Sequence, residues 1–275
     1  MGADIMKTYY RSAIFVASFL TVVASDIDAA RAADLSGPST RGPAPAPVIK
    51  PYEFTVFAYG WAAGLKGNVA SLPPLPAVNI DLGFDKVIKN FEGGIMGAAE
   101  LRFGRILFDA DIMYTRIGGA VNPRGPFFDR VSLKTTSFIG TALAGYRLVD
   151  DPSYTLDVMA GVRGYSLSTK VTTSSRVPAL NLVGRETESW VDPMIGAKAR
   201  INLTRSFYVT SWALIGGFDA GSKLSWDVFG GVGYSFNDQM SAVIGYRAMG
   251  IDYARNGYVY DVVQKGPMTA FVFRF

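Results

Sequence analysis

The stretch Ile106–Thr115, "ILFDADIMYT", alternates with a period of two. Ile106, Phe108, Ile112 and Tyr114 fall on one side, and Asp109 and Asp111 on the other. Successive side chains of a strand point to opposite faces, so this segment has one greasy face and one acidic face. The stretch before it, "GIMGAAELRFG" (Gly94–Gly104), repeats the arrangement. There Ile95, Ala99, Leu101 and Phe103 oppose Glu100 and Arg102, and Gly104-Arg105 supplies a tight turn between the two.

The same alternation continues along the chain. Leu156, Val158 and Val162 oppose Asp157 and Arg163; Val191, Ile195, Ala197 and Ile201 oppose Asp192, Lys198 and Arg200. Leu224, Trp226, Val228, Val232, Tyr234 and Phe236 oppose Asp227, and Met240, Ala242, Ile244 and Tyr246 oppose Arg247. "TVFAYGWAAGLKG" (Thr55–Gly67) puts Phe57, Tyr59, Trp61 and Leu65 against Ala58, Gly60, Ala62, Gly64 and Lys66. The segments around Ile139 and Thr210 alternate less cleanly.

The candidate strands centre near Tyr59, Ala98, Ile112, Ile139, Ala160, Ala197, Thr210, Phe229, Ile244 and Phe271. The fold expected is all-β: a transmembrane antiparallel β-barrel of about 10 strands, within 8–12. Short connections are expected at Gly104, at Asp150-Asp151-Pro152, at Asn202–Ser206 and at Asn237-Asp238. Long ones are expected at Gly67–Phe91, Gly118–Arg130 and Thr169–Glu186, with medium ones near Phe218 and Asn256. Short turns on one side and long loops on the other are a mark of outer-membrane barrels, and an even strand number leaves both termini periplasmic.

Composition agrees. Of 275 residues, 49% are hydrophobic and only 18% charged, against roughly 25% charged in soluble domains. Beyond the N-terminus no run approaches the ~18 apolar residues of a spanning helix. A chain that is greasy without a greasy helix spreads its apolar residues over alternate positions, as a membrane barrel does. A Lys or Arg on the lipid face near the midplane costs roughly 2–4 kcal/mol. The charged face is therefore expected inward, with the bulky apolar face, Tyr59 and Trp61 included, toward lipid.

The N-terminus reads as an address. Residues 1–32 form a signal peptide starting at Met6: Lys7 and Arg11 give the basic region, Ser12–Ala24 the apolar one, and Ala30-Arg31-Ala32 the cleavage site. Residues 33–52 are a Pro/Ala-rich periplasmic leader, and 53–275 the outer-membrane barrel. The chain is thus expected in the cell outer membrane, exported by its signal peptide. Phe271, Phe273 and Phe275 alternate to the end of the sequence, a last strand facing lipid.

These features resemble known proteins. The terminal Phe275 behind alternating aromatics is similar to the signal that outer-membrane proteins show to the barrel-assembly machinery. The leader "ARAADL…PAPAP" and the stretch from Trp190 to the C-terminus resemble an uncharacterised family of small outer-membrane barrels of rhizobia-like Gram-negative bacteria. The resemblance implies the compartment and the assembly partner. It implies no activity, because the family carries no catalytic residue to transfer.

Candidate chemistry is sparse. The chain has no Cys and no His, which removes disulfides, thiolate metal sites and the histidine-dependent mechanisms of known barrel enzymes. Asp109 and Asp111 could divide acid and base roles; an interior salt-bridge network is the stronger reading. That lumen network is expected to comprise Glu100, Arg102, Asp109, Asp111, Asp157, Arg163, Asp192, Lys198, Arg200, Asp227 and Arg247. Six acids against five bases argue against an ion-selective pore, which shows one sign in excess. The net charge of +4 lacks a basic cluster, so nucleic acid is not a partner. "SLPPLPAVNIDLGFDKVIKNF" (Ser71–Phe91) is a surface loop by default and a lid or plug as the alternative. The function expected is a structural or surface-interaction barrel with a side-chain-filled lumen and no enzymatic activity or cofactor. A narrow, porin-like small-solute channel is the alternative, and a lipid-acting enzyme the third reading. Expected partners are outer-membrane lipid, lipopolysaccharide and the assembly machinery.

Overall fold

The computed structural model describes residues 52–71, 77–121, 130–174 and 183–275. The signal peptide and all but the last residue of the leader lie outside the described residues. Twelve strands and one short helix follow in order. They are β1 (Glu53–Trp61), β2 (Gly64–Ala70), β3 (Val78–Leu82), α1 (Phe84–Lys89), β4 (Phe91–Phe103) and β5 (Ile106–Val121). Then come β6 (Arg130–Asp150), β7 (Tyr154–Ser174), β8 (Val183–Asn202), β9 (Phe207–Gly217), β10 (Leu224–Ser235), β11 (Met240–Arg255) and β12 (Tyr258–Arg274).

From β4 to β12 each strand pairs antiparallel with the next, β1 pairs with both β4 and β12, and the sheet closes. β2 continues β1 after a break at Ala62-Ala63 and stays on β12, so the two make one stave of a ten-stranded barrel. All ten expected centres fall inside these staves. Closure leaves few edges, which is how a sheet satisfies its backbone where water is absent. Phe275 and Phe54 exchange backbone hydrogen bonds, so the strand that opens the barrel and the strand that ends it meet at one end. That terminal end also carries the two-residue turn Gly104-Arg105, with Gly104 at a φ of +55°.

Outward faces form an apolar belt. Ile106, Phe108 and Ile112 on β5, Val191, Ile195 and Ile201 on β8, and Ile244 and Phe271 on β11 and β12 are all exposed. Farther from the terminal end, exposed Arg116, Lys134, Ser189 and Lys265 take the same outward face. Those residues mark the upper margin of the belt.

Two expectations need correction. β6 and β7 each run 21 residues and β8 runs 20, against the ~9–11 that cross a bilayer. The described parts of the expected loops at 118–130 and 169–186 (118–121, 130, 169–174 and 183–186) are therefore strand, and residues 122–129 and 175–182 lie outside the described residues. Above the belt the outward face meets water, so in "SLSTKVTTS" Ser166, Ser168, Lys170 and Thr172 take the place of lipid-facing aliphatics while Leu167 stays buried inward. Ser–Ser and Ser–Thr bonds run along that outer face (Ser189 to Ser166, 3.0 Å; Thr187 to Ser168, 2.9 Å). The second correction concerns β1. Tyr59 and Trp61 point into the lumen, 9% and 7% exposed, and the outward positions are Val56, Ala58, Gly60 and Ala62. Both rings carry a polar tip, and the lumen supplies partners for it: Tyr59 donates to Asp111 (2.7 Å) and Trp61 to the Gly266 carbonyl (3.3 Å).

Candidate functional site

The lumen has two tiers. In the tier nearer the terminal end, Asp227 on β10 is fully buried and accepts four hydrogen bonds. Arg247 supplies two of them, Nε to Oδ1 at 3.0 Å and Nη2 to Oδ2 at 2.7 Å. Arg163 gives Nη2 to Oδ2 at 2.8 Å, and Trp212 gives Nε1 to Oδ1 at 3.2 Å. Arg163 also donates to Thr141 (2.8 Å). Arg247 reaches across the barrel to the Tyr59 hydroxyl at 3.3 Å, and its guanidinium lies 5.1 Å from the Trp61 ring centroid. Side chains from β1, β5, β7, β9, β10 and β11 thus converge on one knot.

A second knot lies closer to the terminal end. Arg102 bridges Glu100 (2.7 Å) and Asp157 (2.9 Å), Lys198 holds the other Glu100 oxygen at 2.6 Å, and Arg147 holds Asp157 at 2.9 Å. Nearer that end Arg200 stacks 3.5 Å over the Tyr208 ring and bonds Asn202.

The remaining expected members lie apart from these pairs. Asp111 is tied through Tyr59, and Asp109 lines the small space between the knots, about 100 Å³ in volume. Asp192 is fully buried beyond the first knot, its Oδ1 accepting the Ser222 backbone N–H at 2.6 Å. Asp111 Oδ1 and Asp192 Oδ2 have no hydrogen-bond partner among the described residues. Sequence reasoning missed Arg147, Tyr59 and Trp212. Arg147 shares the inward face with Ile139 and Leu143, both buried, and that apolar company hid it.

The upper tier is different. On the β7–β12 side it is filled by aromatic rings: Trp190 stacks on Tyr253 at 3.9 Å and on Tyr165 at 4.8 Å. On the β1–β6 side it is hollow. A chamber of about 1050 Å³ runs from Tyr59 and Met113 up to α1, and among the described residues none that line it carries a charge. The expectation of a filled lumen is therefore met in the lower tier only. Strand count set that expectation, whereas Gly94, Gly118, Gly119, Thr115 and Ser137 on the lining leave the volume open.

The wall beside this chamber is incomplete. The β1–β4 ladder stops at Ala58↔Gly97. Beyond it Tyr59, Gly60 and Trp61 remain bonded to β12, and Phe91 to Met96 run along β5. Among the described residues no ladder joins those two edges. β2 takes β3 as its partner instead, in register Leu65↔Leu82 to Val69↔Val78. The chain then turns through α1, whose Lys86 and Val87 N–H groups donate to the Gly83 carbonyl, and returns at Phe91. β3 and α1 thus form the upper frame of a window; residues 72–76, part of the expected loop, lie outside the described residues. Phe84, Val87 and Ile88 line the chamber from above.

No protein-family model and no curated protein matches the chain. Among solved structures it is similar to the outer membrane protease OmpT from Escherichia coli, with a TM-score of 0.50 and 13% identity, covering 82% of this chain and 97% of that one. It also matches the translocator domain of the autotransporter NalP from Neisseria meningitidis (TM-score 0.39, 13% identity, 81% and 88% covered). A third match is the attachment invasion locus protein Ail of Yersinia pestis (TM-score 0.34, 12% identity, 82% and 100% covered). At 13% identity the likeness to the first of these carries the fold alone, a closed barrel of the outer-membrane kind.

Proposed function

We propose that the chain is an exported outer-membrane barrel sealed against ion flow, serving a structural or surface-interaction role. The observation that carries this is the Arg163–Asp227–Arg247 knot, at most 2% exposed. Through Tyr59 and Asp111 it reaches the opposite wall. A conducting pathway would have to pass charges that already satisfy one another. With Arg147 included, the network named above holds six acids (Glu100, Asp109, Asp111, Asp157, Asp192, Asp227) and six bases (Arg102, Arg147, Arg163, Lys198, Arg200, Arg247), without the single-sign excess of a selective filter. Asp109 and Asp111 lie inside this enclosed tier, away from any lipid-facing cleft, so the reading is non-enzymatic.

In this reading the terminal end faces the periplasm, and the long β6–β8 extensions project outside the cell. The outward-pointing Phe271, Phe273 and Phe275 serve the assembly machinery. Kinship with small barrels of rhizobia-like bacteria belongs to the same proposal and rests on the stretch from Trp190 onward. The decisive experiment inserts the purified, folded protein into planar bilayers. Absence of stable unitary steps is expected; reproducible steps from single barrels would favour the narrow channel and overturn the seal. Cell fractionation with heat-modifiable gel mobility tests the compartment independently.

A further inference from the structure

We infer that the upper chamber is a binding site for the hydrocarbon tail of an amphiphile, which enters sideways from the surrounding membrane through the window between β1–β2 and β4. The inference rests on the membrane-spanning reading above, and its readout is independent of conductance.

The position of the window points to lipid as the source. Its lower sill, Ala58↔Gly97, lies within the apolar belt, because outward Ile95 stands above it and is 69% exposed. Arg116, opposite Gly93, marks the belt's upper margin at mid-height of the opening. The Phe91–Met96 edge is six residues long, or ~20 Å at about 3.3 Å per residue. Unpaired strand edges at membrane depth are tolerated only where they are covered by protein or line a water-filled cavity. Here both edges line the chamber: Gly60 and Trp61 on one side and Gly94 and Met96 on the other belong to its wall.

The chamber fits a tail rather than a polar solute. Among the described residues its lining holds no ionised side chain, in contrast to the tier below it. Its volume, about 1050 Å³, sits at the upper end of the roughly 300–1,000 Å³ of small-molecule sites. Tyr59 and Met113 floor it just above the first knot. A tail would therefore end against aromatic and thioether surface, with its head left at the belt margin. The frame above adds apolar surface, since Phe84 and Ile88 on α1 are 41% and 45% exposed yet turned to the chamber.

The test uses the full folded barrel in phosphatidylcholine vesicles doped with a palmitate analogue bearing a mid-chain diazirine. After irradiation, labelled residues are mapped by mass spectrometry. Labels on inward Trp61, Met96 and Met113 are expected; labels confined to outward Ile244 and Phe271 overturn the chamber assignment. A second arm closes the window. Because the chain has no Cys, Gly60→Cys and Ile95→Cys can be joined after folding by a short bismaleimide. Both positions are exposed and would face each other if the ladder zipped by two more pairs. Stapling is expected to cut chamber labelling at least tenfold relative to the unstapled double variant. Undiminished labelling would mean that the tail arrives through the upper mouth, and the sideways route falls. Thr115→Trp with Ser137→Trp, neighbours in register on the lining, should abolish the chamber labels while leaving the belt labels in place. Heat-modifiable mobility checks folding of that variant, and the staple arm stands without it.

Discussion

Replacing Asp227 with asparagine tests the physical core of the barrel. The carboxylate is fully buried and compensates two guanidiniums, Arg163 and Arg247, that are themselves 1–2% exposed. Asn keeps the shape, loses the charge, and turns an amide N–H₂ toward groups that can only donate. Removing one partner of a buried ion pair costs about 3–5 kcal/mol, because the charge left behind is uncompensated. With a urea slope of roughly 2 kcal/mol per M, the unfolding midpoint in vesicles should fall by about 2 M. Tryptophan emission during urea titration, checked by gel mobility of the folded form, reads this directly. A companion variant separates charge from packing: Arg163→Met, Asp227→Leu and Arg247→Met together remove the three charges that pair with one another, leaving Asp111 on its Tyr59 hydrogen bond. Apolar replacement of such clusters is often neutral or stabilising, so the triple variant should recover most of the lost midpoint. A midpoint change below about 0.5 M for Asp227→Asn, by the same slope, would refute the claim that the knot is a dry, mutually dependent unit.

Four further outcomes are expected. Trp190→Ala removes the central ring of the Tyr165–Trp190–Tyr253 stack and should cost about 3–5 kcal/mol, with loss of near-ultraviolet circular dichroism. Gly67→Ala should loosen the β2–β12 ladder, since its φ is +151° and a Cβ there would clash with the Asp261 carbonyl of β12; faster amide exchange at β2, β3 and the facing end of β12 is the signature. Lys66 holds the Asp81 carboxyl below its ordinary range by a 2.9 Å hydrogen bond, so that small contribution is present above the unfolded value. It disappears as pH falls through the folded one, and a carbon-detected titration of Asp81 should show the depressed midpoint, with weaker depression at high salt. Phe275→Ser should reduce the amount of barrel reaching the outer membrane in cells while leaving refolding of the purified chain into detergent intact. Equal membrane levels in cells would remove the assembly role of that ring.

The sheet was readable because charge and bulk alternate in most staves. On β4, β5, β7, β8, β10 and β11 each inward charge sits opposite a lipid-facing aliphatic, and the cost of reversing that choice set the phase. β1 lacked such a marker. It has no charge between Thr55 and Leu65, and Tyr and Trp are at home both in a lipid interface and against an arginine. Its phase depended on partners more than forty residues away in the chain, such as Asp111 and Arg247. The window was hidden for a related reason. Period-two patterns say which face a side chain takes and nothing about where a ladder stops. The swap of β4 for β3 beside β2 is a matter of register, which local sequence carries weakly when the strand is rich in Gly and Ala.

The salt bridges also bear on how the barrel is made. Lys198 and Glu100 are 98 residues apart, and Arg247 and Tyr59 are 188 apart. Hairpins forming one at a time cannot satisfy these groups. A sheet that is still open can keep hairpin pairs such as Arg147–Asp157 and Arg247–Asp227, but it leaves Lys198 without Glu100 and Arg163 without Asp227 until distant staves meet. The final meeting of first and last strands and the quenching of those charges are then a single event, which makes closure steeply all-or-none. It also places the barrel among folds whose long-range pairings make them slow to form.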